Sequence, residues 1–176
     1  MSVEIACFGW HWFPYGYSRT LDDGDGSRVA AFPHPLGALS GRAVADAREI
    51  EPRVLSGDTD TSGGEASGFQ PDVALVNWYA PGARMGMHAD RDERCPAPVV
   101  SLSLGDSCVF RFGTPAGRGR PWTDVVLESG DLFVFGGPSR LAFHGVPKVM
   151  VGTGTPAVIG RHGRWNITVR ETGLVG

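Results

Sequence analysis

The stretch that decides the fold is Asn77-Trp78-Tyr79-Ala80-Pro81-Gly82-Ala83-Arg84-Met85-Gly86-Met87-His88-Ala89-Asp90-Arg91-Asp92. A strand-like segment leads into a Pro-Gly turn, and an imidazole and a carboxylate follow two residues apart, at His88 and Asp90. In an extended segment, residues i and i+2 point to the same side. The end of one short strand is therefore expected to aim both groups at a single metal ion.

A third ligand is available at His144, within Arg140-Leu141-Ala142-Phe143-His144-Gly145-Val146. Two histidines and one carboxylate form a face that leaves coordination positions open and suits Fe(II) oxygenases. A His-x-Asp triplet alone is a weak signal, and the competing interpretation is a surface histidine without a ligand role. The preceding strand and turn, the apolar setting of His144 and an arginine pair further along the chain favour the metal site.

Composition indicates one globular domain that is rich in turns. The chain has 176 residues, of which 41% are hydrophobic and 10% aromatic, as is ordinary for globular proteins. The 26 Gly and 13 Pro favour many short strands over long helices. Cys7, Cys95 and Cys108 are odd in number and lack CxxC spacing, which predicts free thiols in a reducing compartment.

The sequence gives no sign of a membrane partner. No apolar run approaches the roughly 18 residues that span a bilayer, and the start lacks a basic segment followed by an apolar one. We therefore expect a cytoplasmic protein, and a monomer.

Charge is unevenly distributed along the chain. Residues 1–76 carry 5 Arg and 11 acids, whereas residues 77–176 carry 11 Lys+Arg and 8 acids, within a net charge of -3. The basic half holds the candidate metal ligands, so its surface could follow a phosphate backbone. The alternative, that arginine only solvates strand faces, has equal support from charge alone.

Apolar spacing predicts a mainly β fold. The aromatic-rich residues 6–20 are too irregular for a helix and are either core material or a loop that stacks on flat ligands such as bases. Residues 36–50 have helical spacing after Pro35, and the polar residues 51–70 are predicted to be a flexible insertion. Strands are predicted at 73–78, 99–104, 108–112, 125–127, 132–135, 140–146 and 164–170, with a hairpin turn at 128–131. Seven or eight short strands predict a two-sheet jelly roll.

The strand at 164–170 offers a pocket for a dianion. Arg164, Asn166, Thr168 and Arg170 share one face because their spacing is even. A cosubstrate such as 2-oxoglutarate would chelate iron at one end, and arginine binds the carboxylate at the other end bidentately. Asn77 and Tyr79, also on one face, could donate hydrogen bonds to the same ligand. The competing interpretation is an ordinary solvent-facing strand.

Together these motifs resemble the AlkB family of Fe(II)/2-oxoglutarate-dependent dioxygenases, and the bacterial AlkB branch in particular, from about Gly9 onward except at 51–70. The resemblance rests on Asn77-x-Tyr79-Ala80-Pro81-Gly82-Ala83, His88-x-Asp90-x-Asp92-Glu93, Ala97-Pro98-x-Val100-Ser101-x-Ser103-Leu104-Gly105, Gly130-Asp131, Ser139-Arg140-Leu141-x-x-His144-Gly145 and Arg164-x-Asn166-x-Thr168-x-Arg170.

The resemblance implies a single dioxygenase domain over residues 1–176. It would consist of a nucleotide-recognition lid at 1–35, a helix at 36–50, the insertion at 51–70 and a catalytic double-stranded β-helix, or jelly roll, at 71–176. Its expected activity is oxidative demethylation of alkylated bases, of the 1-methyladenine and 3-methylcytosine type, in single- or double-stranded DNA with RNA as the alternative. The reaction would use Fe(II), 2-oxoglutarate and O2 and release formaldehyde, succinate and CO2.

The same resemblance implies roles for individual residues. His88, Asp90 and His144 would be the iron ligands, and Asn77, Tyr79, Arg164, Asn166, Thr168 and Arg170 would line the 2-oxoglutarate pocket. Arg164 would hold the distal carboxylate and Arg170 the carboxylate near the iron. On the substrate side, Trp10 would stack on the damaged base, Tyr17 would contact the backbone, and Asp92, Arg118 and His88 would lie beside the nucleotide.

Two departures from the family pattern are visible, and two rival functions stay open. Ala89 stands where bacterial relatives often have a larger polar residue. The chain also starts almost at the lid, so we expect either that the protein is naturally short or that its start was assigned too late. One rival is the same chemistry on RNA, a protein side chain or a small molecule. The other is a cupin-like binding protein with a structural metal, which the dianion pocket argues against.

Overall fold

Two antiparallel sheets that face each other form the body of the protein, in a computed structural model that describes residues 3–55, 68–155 and 160–175. In order across the larger sheet, the strands are β1 (Glu4–Phe8), β4 (Val73–Tyr79), β11 (Arg164–Arg170), β6 (Val99–Gly105) and β9 (Leu132–Phe135). Across the smaller sheet they are β5 (Met85–His88), β10 (His144–Val149), β7 (Cys108–Phe112) and β8 (Thr123–Leu127). The predicted mainly β, jelly-roll fold is confirmed.

The core between the sheets is apolar at one end. Tyr79 of the larger sheet packs with Phe110, Leu127 and Val146 of the smaller one, and the rings of Phe110 and Phe133 lie 5.0 Å apart. The other end of the gap is lined by polar side chains of β11 and β4, so a cavity remains there instead of a filled core.

One helix covers the outer face of the larger sheet. Helix α1 (His34–Ile50) packs Val44 against Ala74, Val100 and Val169, which are the outward positions of their strands. It begins two residues earlier than predicted because Pro35 is accommodated in the first turn, where its missing N–H would have no helical partner anyway. No helix in the ranges that the structure describes is long and apolar enough to cross a bilayer.

The aromatic segment near the start is a small hairpin. Strands β2 (His11–Phe13) and β3 (Gly16–Ser18) pair with each other alone, and Trp12 and Tyr17 pack on Val73 and Leu75 at the inner face of the larger sheet. The hairpin therefore covers the part of that sheet which the smaller sheet does not reach. The three cysteines are free thiols, as expected.

Two local predictions were wrong. The turn at 128–131 does not close a hairpin, because β8 pairs with β7 in the smaller sheet and β9 with β6 in the larger one; Ser103 exchanges backbone hydrogen bonds with Gly130 and Asp131 as the chain crosses over. The strand predicted at 140–146 begins only at His144. Residues 137–139 form a 3-10 turn, and the Arg140 guanidinium bonds back to the loop after β5.

The predicted insertion is described only at its ends. Pro52–Leu55 form a short 3-10 helix, and residues 56–67 lie outside the described residues.

Candidate metal centre and cosubstrate pocket

The three predicted metal ligands converge at the edge of the smaller sheet. His88 ends β5 and His144 begins β10, and the two are direct partners in the antiparallel register. Asp90 lies in the loop just after β5, with its carboxylate oxygens 3.8 Å from Nε2 of His88 and 3.7 Å from Nε2 of His144. One ligand atom from each residue lies within 4.8 Å of the other two, a spacing that one ion can bridge.

The backbone orients both imidazoles toward that point. Nδ1 of His88 lies 3.0 Å from the Gly86 carbonyl, and Nδ1 of His144 lies 3.0 Å from the Ala142 carbonyl. A carbonyl can only accept, so each Nδ1 carries a proton and Nε2 is the ring nitrogen available as a metal ligand. Such outer hydrogen bonds fix the tautomer and orientation of metal-binding histidines.

The charge state of the cluster also suits a cation. Burial lowers the pKa of His144, which keeps it neutral and able to ligate. Burial alone would raise the pKa of Asp90, but its cationic neighbours, Arg170 above all, outweigh burial, so the net shift is downward and the carboxylate is ionised. Nη2 of Arg170 lies 2.8 Å from Oδ2 of Asp90.

A cavity of about 430 Å³ opens from this cluster between the sheets. All six residues predicted for the cosubstrate line its wall: Asn77, Tyr79, Arg164, Asn166, Thr168 and Arg170. The amide of Asn166 donates to Ser101, 2.7 Å away, and its oxygen accepts from Thr168. Burial raises the pKa of Tyr79 to about 12, so its hydroxyl remains a hydrogen-bond donor.

Two buried arginines on this wall have hydrogen-bonding capacity that the protein does not use. Arg164 is 1% exposed and donates through Nη2 to Ser103, 2.9 Å away, but its Nε and Nη1 have no partner among the described residues. Nε of Arg170 is likewise buried and unpaired there. Leaving such groups unsatisfied is costly. Three spare donors on two arginines of one wall fit a ligand with a carboxylate at each end.

The aromatic residue at the cavity mouth is Trp12 rather than the predicted Trp10. Trp10 is buried, its indole N–H donates to Asp72 at 2.9 Å, and the Arg19 guanidinium covers its ring. Trp12 lines the cavity and donates to Asp92 at 2.7 Å. In a regular strand Trp10 and Trp12 would point to the same side, so their spacing could not predict which of them lines the cavity. In the structure, the bend at residues 9–10 directs the two rings to different places.

Of the four other residues predicted to bind the substrate, two line the cavity and two do not. Asp92 and His88 line the cavity mouth. Tyr17 does not reach the cavity wall, because its hydroxyl donates to the Glu93 carboxylate. Arg118 is exposed, with its guanidinium 5.9 Å from the Phe143 ring, and it lies outside the cavity.

Two residues that sequence reasoning did not single out complete the site. Both carboxylate oxygens of Glu93 are bonded, to Tyr17 and Arg170 on one side and to Arg140 on the other. Arg140 also donates to the backbone carbonyls of Asp90 and Ala97. Both residues lie in motifs of the family resemblance, but those motifs assigned neither of them a role, because spacing does not predict that residues 47 apart form a buried pair.

Known proteins with the same architecture can now be compared. A family described as the 2OG-Fe(II) oxygenase superfamily matches residues 1–170. The chain is 34% identical over 185 residues to a DNA N(6)-methyladenine demethylase, ALKBH1C, of Arabidopsis thaliana, over 97% of this chain and 39% of that protein. It is 44% identical over 106 residues to the alpha-ketoglutarate-dependent dioxygenase AlkB of Escherichia coli, over 60% of this chain and 47% of that protein.

The solved structure of OsALKBH1 superposes with a TM-score of 0.81 at 32% identity, over 97% of this chain and 79% of that one. The chain thus spans less than half of the two curated relatives but most of a solved homologue. With the family match over nearly its whole length and the ligand cluster in place, the chain belongs to the 2OG-Fe(II) oxygenase superfamily and, within it, to the AlkB family.

Proposed function

We propose that this protein is an Fe(II)- and 2-oxoglutarate-dependent dioxygenase that demethylates alkylated nucleic-acid bases. The observation that carries the proposal is the pairing of an open His-Asp-His cluster with two buried arginines that have spare donors in the same cavity. A structural metal site needs no dianion pocket, so this pairing favours an enzyme over a cupin-like binding protein.

The residues present fit the metal and the cosubstrate. His88, Asp90 and His144 would hold Fe(II), which supplies the activation of O2 when bound. Arg164, whose Nη2 is held by Ser103, would bind the distal carboxylate of 2-oxoglutarate with a donor that the protein leaves unused. Arg170 would offer Nε to the carboxylate nearer the metal. The protein thereby orients the cosubstrate along the cavity.

The overall reaction requires a substrate carbon near the open side of the cluster. One atom of O2 ends in succinate as 2-oxoglutarate loses CO2, and the other oxidises the N-methyl carbon. The hydroxymethyl product loses formaldehyde and restores the base. The chain's part is to exclude water and to hold the base.

The mouth of the cavity supports a base as the substrate. Trp12 offers an aromatic plane beside the mouth, and Asp92 fixes it by accepting its indole N–H. A base in a duplex would have to be flipped out to reach the cluster. Relatives named as a DNA demethylase and as AlkB support a nucleic-acid substrate, and lesions of the 1-methyladenine and 3-methylcytosine type are the proposed targets. A monomeric state and a cytoplasmic location stay predictions.

Release of succinate and formaldehyde tests the proposal. The protein is loaded anaerobically with Fe(II), and turnover is started with O2 in the presence of 2-oxoglutarate and a methylated oligonucleotide. Matched reactions use the unmethylated oligonucleotide, an RNA oligonucleotide of the same sequence, or the His144→Ala variant in place of the wild-type protein. We expect formaldehyde in step with succinate only when methyl groups are present. If methylated nucleic acid does not stimulate succinate release, the protein is an oxygenase that acts on another class of substrate. If 2-oxoglutarate is not turned over in any of the reactions, the proposed enzymatic activity is wrong.

A further inference from the structure

Glu93 is a buried carboxylate to which the proposed reaction assigns no role. Its side chain is 1% exposed. Oε1 accepts hydrogen bonds from the Tyr17 hydroxyl and from Nη1 of Arg170, the latter at 3.0 Å. Oε2 accepts from Nη2 of Arg140 at 2.8 Å. A carboxylate is costly to bury unless it is paired in this way.

Each partner of Glu93 leads to a different part of the site. Arg170 lines the cosubstrate cavity and contacts Asp90 through Nη2 at 2.8 Å. Arg140 holds the backbone carbonyl of Asp90 at 2.9 Å. Tyr17 belongs to the hairpin β2–β3, whose Trp12 reaches the cavity mouth. One side chain is therefore joined to the metal-ligand loop, to the cosubstrate wall and to the hairpin.

The position of Arg170 depends on having an anion on each side. Its Nη1 donates to Glu93 at 3.0 Å and to the Tyr17 hydroxyl at 3.3 Å, its Nη2 contacts Asp90, and Nε is left without a partner in the described structure. If Glu93 were neutral, Asp90 would be the one anion left beside the guanidinium. Arg170 would then turn toward Asp90, and its hold on the cosubstrate would weaken.

We propose that Glu93 is a positioning residue that fixes Arg170 toward the cosubstrate and latches the hairpin β2–β3 beside the cavity mouth. The inference rests on the proposed function for its cosubstrate half, whereas the latch stands on the Tyr17 contact alone. It predicts that the two halves differ in size between variants, because Tyr17 accepts from Nη1 of Arg170 at 3.3 Å as a neutral hydroxyl, whereas Glu93 accepts at 3.0 Å as an anion.

Three variants of the full chain test this. Glu93→Gln removes the charge beside Arg170, Tyr17→Phe removes the neutral hydroxyl that contacts Glu93 and, at 3.3 Å, Arg170, and Glu51→Gln is the matched control at an exposed glutamate paired with Arg53. The affinity for 2-oxoglutarate is measured by calorimetry on protein loaded with Mn²⁺ under nitrogen. Hydrogen exchange is measured at amides 11–18, and KM for 2-oxoglutarate is determined apart from kcat.

For Glu93→Gln we expect about tenfold weaker 2-oxoglutarate binding, as befits a charge-assisted contact, together with faster exchange in the hairpin. For Tyr17→Phe we expect faster hairpin exchange with 2-oxoglutarate affinity within about twofold of wild type. The control should match wild type in both. A general loss of stability would not produce this split between variants.

Glu93→Gln that changed neither readout would overturn the proposal, and so would Tyr17→Phe that weakened 2-oxoglutarate as strongly as Glu93→Gln. If Glu93→Gln does not fold, Glu93→Asp takes its place, because it keeps the charge but shortens the reach and should give the same pattern. A wild-type protein that bound no 2-oxoglutarate would overturn the proposed function and the Arg170 half; hairpin exchange in the two variants would then still decide the latch.

Discussion

Arg164 is the residue on which cosubstrate binding most depends. It is buried, and two of its nitrogens, Nε and Nη1, have no partner among the described residues, so its replacement by alanine should remove a charge-assisted contact of about 1.5–3 kcal/mol. We expect Arg164→Ala to raise the apparent dissociation constant of 2-oxoglutarate roughly tenfold to a hundredfold. Arg161→Ala is the control, because that guanidinium lies on the Trp78 ring instead. A change of less than twofold for Arg164→Ala would place the dianion elsewhere.

Asp92 is the residue expected to select charged lesions. Bases methylated at N1 of adenine or N3 of cytosine are cationic near neutral pH, and a carboxylate about 4 Å away attracts them by a few kcal/mol in a partly desolvated site. Asp92→Asn keeps an acceptor for the Trp12 indole but loses the charge. Repair of cationic lesions should slow more than repair of N1-methylguanine in the same oligonucleotide, with 2-oxoglutarate binding nearly unchanged.

The control for Asp92 is Asp46→Asn on the exposed side of helix α1. Equal slowing of both lesion types by Asp92→Asn would mean that the residue acts on positioning alone, and charge selection would be discarded.

At the scale of the elements, the pairing of β5 with β10 brings His88 opposite His144. Gly145 makes this approach possible, because a Cβ there would lie 2.8 Å from the Met85 carbonyl oxygen and 2.9 Å from that of Gly86. Gly145→Ala should therefore push the strands apart and weaken Mn²⁺ binding to the apoprotein at least tenfold. Gly117→Ala, with open space around the added methyl, should not. Unchanged Mn²⁺ affinity in Gly145→Ala would show that the ligands tolerate the shift.

The hairpin β2–β3 gives a second test at this scale. Trp12→Ala removes a cavity-lining ring and should weaken binding of a methylated single-stranded oligonucleotide by about 1–3 kcal/mol. Trp10→Ala removes a core ring held by Asp72 and should lower the melting temperature with less effect on binding. Fluorescence titration and thermal unfolding of both variants separate the two roles. The reverse pattern would restore Trp10 as the stacking residue.

The elements also show which features the sequence could predict. The alternation in β11 predicted that its four polar residues share one face, because strand period determines this. Period does not predict that this face lines a cavity or that the opposite face packs against helix α1. The hairpin predicted at 128–131 was wrong because the residues of a turn do not determine which sheet receives the next strand. Arg140 and Trp12 were missed because their roles depend on partners about 50 and 80 residues away in sequence.

For the whole molecule, the Glu93 network predicts sensitivity to acid. Burial alone would raise the pKa of Glu93, but Arg170, Tyr17 and Arg140 together lower it below its ordinary value of about 4.3. A lowered folded-state pKa contributes stability above that ordinary value, and this stability is lost as the pH falls through the folded-state pKa. Glu93→Gln should cost about 3–5 kcal/mol at neutral pH.

Urea unfolding of wild type and Glu93→Gln between pH 7 and pH 3 measures this difference. The difference in unfolding free energy between wild type and Glu93→Gln should be constant above about pH 5 and should decrease below about pH 4. A gap that did not depend on pH would mean that the hydrogen bonds of Glu93 matter and its charge does not.

The register that sets His144 opposite His88 also bears on how the protein is made. Two of the three ligands come from the end of β5 and the loop after it, but the third lies more than fifty residues further along the chain, and Arg164 and Arg170 follow it. A nascent chain emerging from the ribosome can therefore present His88 and Asp90 without a complete site. We therefore expect the ligand set to be complete only after His144 has been synthesised, and an ion bound there would tie the early part of the domain to the late part.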